Sequence, residues 1–224
     1  MSCKNLEKNF NFQDLFLIFI FGSLVGVFYE EILSLVKNIY YNNSFTYETR
    51  SGLIYGPFNP LYGFGFVVFT YILGKKERKW YITLLLASLL GGTVEYVISF
   101  LQETIIGTVS WDYSQKFLNI NGRTTVIFML FWGLTGLLYI KLVYPILLKW
   151  FQSWNIQTKN IIVIVLLIFI TFDMLLSFTA LIRQSFRKQN IKPYTIVGEL
   201  YDKYYTDEYL GKIYNNMKVT RGNK

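Results

Sequence analysis

The sequence predicts an all-α, polytopic transmembrane bundle of about five helices, followed by a short polar tail. Three observations carry this expectation. Of 224 residues, 53% are hydrophobic and only 16% are charged, whereas about a quarter of a soluble domain is charged. The apolar residues come in long blocks, and about 20 apolar helical residues cross a hydrocarbon core about 30 Å thick. Trp150 and Trp154 follow one such block, as in the aromatic belt at a membrane interface.

The first block runs from about Leu15 to Val36. Lys4 and Lys8 precede it, as in a signal peptide, but the block is long and ends in Tyr29-Glu30-Glu31 rather than small residues. It reads as a retained transmembrane helix. The second, about Phe58 to Gly74, is short for a full crossing and contains Gly63 and Gly65. A tilted span fits it, and so does a loop that dips into the membrane where protein satisfies its backbone. After the basic hairpin Lys75–Lys79 comes a third block, Trp80 to Leu101, with Gly91, Gly92 and Glu95 inside it. The fourth runs from about Thr124 to Leu148 and the fifth from about Ile161 to Ile182, interrupted by Asp173. This organisation gives a transmembrane domain over residues 1–182 and a basic, tyrosine-rich extramembrane tail over 183–224. Within the tail, Asp202 to Met217 has the pattern of a short amphipathic helix.

Charge and composition exclude several function classes. The net charge is +8, and the tail from Arg183 holds nine Lys/Arg against four Asp/Glu. A solvated tail near anionic headgroups accounts for it, and a docking segment does too. No nucleic-acid reader motif accompanies the charge, so nucleic acid is not an expected partner. With a single cysteine, Cys3, no intrachain disulfide forms. The absence of histidine removes the commonest metal ligand and the Ser-His-Asp triad. No metal or cofactor is expected. No stretch reads GxxxxGK[ST], so ATP, if used, is bound by an ATPase or other membrane subunit. Abundant Lys, Asn and Ile fit an AT-rich bacterial genome, which points to the bacterial cytoplasmic membrane. Basic residues number eight on the side of the N-terminus and four on the other, which places the N-terminus in the cytoplasm. Counting Arg183, Arg187, Lys188 and Lys192 of the tail levels the two sides.

The polar residues inside the blocks are the candidate site. A helix rises about 1.5 Å per residue, so Glu30 lies about 22 Å along the first helix, Glu95 about 22 Å along the third and Asp173 about 18 Å along the fifth. These three helices run the same way, so the carboxylates share one half of the membrane. The loops carrying Arg50 and Arg123 emerge there, whereas Lys141 lies toward the other face. One reading is a structural ion-pair network in which Arg50 or Arg123 neutralises Glu30 and Glu95, with Glu31 snorkelling to the interface. The other is a polar cavity that binds a cation or polar solute or relays protons, as intramembrane carboxylates often do. The segment around Gly56, Pro57, Pro60, Gly63 and Gly65 reads either as the broken backbone of a transporter site or as a turn and close helix packing. Tyr55, Tyr62, Tyr96 and Tyr113 are candidate interfacial anchors.

Two stretches carry a family resemblance. One is Arg50-Ser51-Gly52-Leu53-Ile54-Tyr55-Gly56-Pro57-Phe58-Asn59-Pro60-Leu61-Tyr62-Gly63-Phe64-Gly65. The other is Glu95-Tyr96, Glu103, Trp111-Asp112-Tyr113-Ser114, Asn119, Asn121-Gly122-Arg123 and Trp132-Gly133. Together they resemble the bacterial membrane proteins described as "Putative ABC-transporter type IV", over about Gly22 to Pro145. The tail from Asp207 to Met217 is also similar, with Asn215 where the family often has proline and Ser110-Trp111 in place of a tryptophan pair. The resemblance implies membrane residence and a permease-like role; it assigns no functional residues. The expected site therefore combines Glu30, Glu95, Asp112, Arg50, Arg123 and Asp173 with the motif residues. The leading reading is a permease-like or solute-binding membrane component. A non-transporting scaffold or partner subunit, and a membrane-embedded enzyme acting on a lipid-like substrate, are the alternatives.

Overall fold

A computed structural model describes residues 11–220; Cys3, Lys4, Lys8, Arg221 and Lys224 lie outside them. Helix α1 spans Phe12–Asn42, α2 Pro60–Leu73, α3 Trp80–Leu101, α4 Val126–Leu138, α5 Tyr144–Ser153 and α6 Ile156–Lys188. Two short helices, α7 (Ile196–Tyr204) and α8 (Asp207–Ile213), follow. Four stretches are long and apolar enough to cross a membrane: Phe12–Asn42, Trp80–Ile106, Val126–Ser153 and Ile156–Lys188. The protein is a helical membrane protein, with α2 as a fifth, shorter apolar helix. At 14 residues, α2 is about 21 Å long, less than a hydrocarbon core.

The boundaries differ from the expected ones for local reasons. Helix α1 starts three residues before Leu15 because the Asn11 side chain accepts the Asp14 N–H at 2.7 Å. Helix α3 continues as a π-helical turn, Gln102–Ile106, ended by Gly107 at φ +79°, a left-handed conformation that suits glycine. A second π turn, Tyr139–Val143, joins α4 to α5 just before Pro145. Proline lacks the N–H that would bond the carbonyl four residues back, and its ring crowds that carbonyl. The helix widens there and carries on to Ser153. Helix α6 runs past Ile182 to Lys188, so the first residues assigned to the tail are helical and Arg183 is buried.

Helices α1 and α2 form one antiparallel pair, and α3 and α4 another. Small residues set the second contact: Ala87, Ser88, Gly91 and Gly92 on α3 face Met129, Trp132, Gly133 and Gly136 on α4. This is the close backbone approach expected where lipid offers no hydrophobic drive for helix association. The Trp132 ring fills the space left open by Gly65 and Gly91. Helix α6 runs parallel to α1, and their N-terminal ends are joined by Gln13 with Asn160 and by a buried ion pair between Asp14 and Lys159.

The segment before α2 enters the bundle as irregular backbone. Leu53 and Ile54 are buried. The Ile54 N–H donates to Ser177 Oγ at 2.9 Å, and the Asn59 N–H donates to the Ser23 carbonyl at 3.1 Å. Ser23 lies roughly 17 Å along α1, so this loop reaches deep between the helices. Protein groups satisfy its amides, as membrane depth requires.

The tail folds back on the same end. Arg183 donates to both carboxylate oxygens of Asp202, at 2.8 and 2.7 Å, and Arg187 bridges Asp202 and Asp207. Strand β4 (Lys218–Val219) pairs antiparallel with β1 (Thr108–Val109), which follows α3. A second two-residue pair, β2 (Asn119–Ile120) with β3 (Thr124–Thr125), leads into α4.

Candidate functional site

A cavity of about 800 Å³ opens between α1, α2, α3, α4 and α6. Its position follows from the fold just described. The short helix α2 and the loop before it leave space that a full-length helix would fill. Glu30 and Glu95 both line this cavity, from α1 and α3. Each carboxylate is held by hydroxyl groups. Tyr62 Oη donates to Glu30 Oε1 at 2.8 Å. Thr124 Oγ1 donates to Glu95 Oε2 at 2.6 Å, and Tyr113 Oη donates to Glu95 Oε1 at 3.2 Å. Glu95 is only 5% exposed. Tyr62 sits over Gly26, whose missing side chain makes room for the ring.

The surrounding walls are aromatic and aliphatic. Tyr62 packs 5.3 Å from Trp132, and Tyr113 stacks on Phe128 at 4.6 Å. Trp111 lines the cavity and fixes the following loop by donating its indole N–H to the Arg123 carbonyl at 2.7 Å. The tail supplies the roof, since Tyr214, Asn215, Asn216 and Met217 also line the cavity. Asn215 accepts from Arg50 Nη1 at 3.1 Å, and Gln102 Nε2 reaches Met217 Sδ at 3.4 Å.

The expected arginine partners of the two glutamates are committed elsewhere. Arg50 lines the cavity but pairs with Glu48 at 2.5 Å and donates to Ser34 at 3.0 Å. Arg123 pairs with Glu103 at 2.6 Å and lies over the rings of Tyr96 and Phe100. Among the described residues, no cation forms a salt bridge to Glu30 or Glu95. Glu31 points inward rather than snorkelling: it is buried and accepts from the Tyr47 hydroxyl at 2.5 Å.

Other motif residues shape the scaffold around the cavity. Asp173 is fully buried and accepts the Tyr55 N–H at 3.2 Å, with Ser177 beside it at 3.3 Å. It anchors the loop and does not line the cavity. The same loop turns at Gly56, φ +75°, just before Pro57, a conformation open to glycine. Tyr55 Oη meets Tyr205 Oη at 3.1 Å and so ties the loop to the tail. Pro60 opens α2 and lines the cavity, while Gly63 packs on Phe19 and Ser23. Asp112 is exposed and outside the cavity. It accepts the Ser114 N–H at 2.9 Å, and that bond holds its carboxyl below the usual range. Asn119 accepts the Gly122 N–H and donates to the Ser114 and Lys116 carbonyls, and Asn121 donates to Tyr96 Oη at 2.9 Å. These bonds stitch the loop that delivers Tyr113 and Thr124 to Glu95.

Sequence reasoning left Trp132, Ser34 and the Tyr214–Met217 segment out of the site. A tryptophan in the middle of an apolar block, next to a glycine, was the available signal for the first. Ser34 gave none, and the tail segment gave only its family resemblance, because its approach to the cavity depends on the fold-back of the tail.

The sequence matches the model of the family described as "Putative ABC-transporter type IV" over residues 17–178. No curated protein matches the chain, and no solved structure does. The match covers well over half of the chain, which therefore belongs to that family.

Proposed function

We propose that this family member is a permease-like, solute-binding membrane component, and that the cavity holding Glu30 and Glu95 is its solute site. The single observation that carries this reading is the pair of carboxylates. They come from two helices, stand in one cavity and have uncharged hydrogen-bond partners: hydroxyls, with the Trp132 indole also donating to Glu95. A charge inside a bilayer is costly and usually faces a cavity or a partner. A closed ion-pair network would have salt-bridged Arg50 and Arg123 to these glutamates, whereas both are salt-bridged to other acids and Arg50 acts on Glu30 only through space. The site is thus open to a cation or polar solute. The chain carries no P-loop, so an ATPase subunit would supply any energy from ATP. We place the complex in the bacterial cytoplasmic membrane, with the segment after Lys188 outside the bilayer.

The test is an uptake screen in cells that lack the chain and carry either the wild type or Glu30→Gln/Glu95→Gln. The expected result is a solute whose uptake needs the wild-type chain and disappears in the double variant at equal membrane levels. Full uptake by the double variant would remove the carboxylates from the site.

A scaffold or partner-subunit reading draws on a different feature. Helix α7 leaves Ile196, Val197 and Leu200 exposed, a surface suited to another subunit. Replacing these three by serine separates the readings. On the permease reading without a subunit at α7, uptake survives; on the scaffold reading, a co-purifying subunit is lost.

A further inference from the structure

We infer that the solute is an amphiphilic ammonium compound, its cationic nitrogen held by Glu30 and Glu95 and its apolar chain lying along the cavity wall. This rests on the reading of the cavity as a binding site and adds the ligand class.

Charge gives the first argument. Two carboxylates stand in one cavity, and neither forms a salt bridge among the described residues; Lys37 and Arg50 also line the cavity, and Arg50 lies near enough to attract Glu30 but is salt-bridged to Glu48. Hydroxyl donors such as Tyr62 and Thr124 orient a carboxylate but bring no positive charge to it. A bound cation neutralises it, and the attraction grows as water is excluded.

The aromatic walls give the second. The rings of Tyr62, Trp132, Tyr113 and Phe128 stand around the carboxylates. Aromatic faces attract ammonium groups, most strongly when the pair is desolvated. A metal ion would want more oxygen ligands than the two glutamates, and no group of three or more His, Cys, Asp or Glu suited to a metal occurs among the described residues.

Shape and access give the third. The volume of about 800 Å³ is that of a site for a drug-sized molecule. A small hydrophilic cation would leave most of it as water against apolar wall. Residues Tyr214–Met217 roof the end at which the loops emerge, held by Arg50 and by the β1–β4 pair. The flanks carry Leu101, Ile105, Phe131 and Phe178, which line the cavity and are also 44, 49, 50 and 37% exposed. On spanning helices such residues face lipid. The cavity therefore opens toward the acyl chains, where an amphiphile is already concentrated.

The test uses the full chain in phosphatidylcholine nanodiscs, with tritiated dodecylamine read by scintillation proximity against empty discs. Saturable binding is expected, displaced by dodecyltrimethylammonium but not by dodecanol or dodecanoate. Glu30→Gln/Glu95→Gln should weaken it at least tenfold. Should that variant fail to fold, Ile98→Trp leaves both carboxylates and fills part of the apolar wall, and it too should weaken binding tenfold. Equal displacement by dodecanol, or binding within twofold of wild type in the folded variants, would overturn the inference. A chain that ignores dodecylamine but binds ethylamine through the same glutamates would sink the amphiphile and keep the solute site. A chain whose double variant takes up every solute normally would sink the site itself.

Discussion

The α3–α4 contact can be tested by exchanging one methyl group across it. A Cβ built on Gly136 would meet the Ala87 Cβ at 2.6 Å and the Phe69 ring at 3.0 and 3.1 Å. Ala87 and Phe69 are both completely buried, so neither has free space to move into. Gly136→Ala therefore overpacks a closed contact, which costs about 1–3 kcal/mol. Ala87→Gly alone removes a buried methyl group worth about 0.8 kcal/mol and lowers helix propensity by about 1 kcal/mol. Combined, the two changes return the Cβ to the opposite helix and relieve the 2.6 Å clash. The double variant should then be more stable than the sum of the single ones, by a coupling of about 0.5–3 kcal/mol. Unfolding of the purified protein in maltoside micelles by added dodecyl sulfate, followed by tryptophan fluorescence, gives all four stabilities. Strict additivity, or a Gly136→Ala protein as stable as wild type, would refute the packing argument. Gly211→Ala in α8 is the control, since a Cβ there meets nothing within 4 Å and should leave stability unchanged or raised.

Three further outcomes are expected. Lys159→Met strands Asp14 in a buried place, where side-chain exposures are 5 and 9%; loss of one partner of such a pair costs about 3–5 kcal/mol. Asp14→Leu/Lys159→Met should recover most of that loss in the same unfolding assay. Asp173→Ala leaves the Tyr55 N–H without its acceptor and should cost about 1–3 kcal/mol, whereas Asp173→Asn keeps an acceptor oxygen and should cost less. Arg183 and Arg187 hold the Asp202 carboxyl at about 2, down from 3.8. Because the folded value lies below the unfolded one, this pairing stabilises the docked tail fully above about pH 4 and is lost as pH falls toward 2. The Asp202 side chain is 28% exposed, so solvent screening limits the effect to about 1 kcal/mol or less. The protection factor of α7, which corrects for the pH dependence of intrinsic amide exchange, should fall over that range, and Asp202→Asn should show the lower protection already at pH 6.

The sequence made depth legible and left direction hidden. Rise per residue placed Glu30, Glu95 and Asp173 in one half of the bundle, and the structure brings the first two to one cavity. Asp173 turns instead to the Tyr55 amide, because the side a helical residue faces depends on how its helix is rotated in the packing. The sequence sets Arg50 and Arg123 against the intramembrane glutamates, although Glu48 is two residues from Arg50 and Glu103 lies in the π-helical turn that follows α3. Those nearby acids reach the arginines at lower desolvation cost. Asp112 carried a motif but caps a turn. The cavity itself had only an indirect signal, a second block too short to span and broken by Gly56, Pro57 and Pro60. The roof had less. Two basic residues, Arg183 and Arg187, precede two acidic ones, Asp202 and Asp207, along the tail, yet only their three-dimensional pairing says that the tail returns to the bundle.

Cryo-electron microscopy of the chain in nanodiscs with dodecyltrimethylammonium tests the central claim most directly. The account predicts ligand density in the cavity, with the nitrogen within about 5 Å of the Glu30 and Glu95 carboxylates and beside the Tyr62 and Trp132 rings, as expected for an ammonium group on carboxylates and aromatic faces. Glu30→Gln/Glu95→Gln should lose that density. A cavity that stays free of ligand while the compound binds elsewhere on the protein, or density that persists unchanged in the double variant, would contradict it.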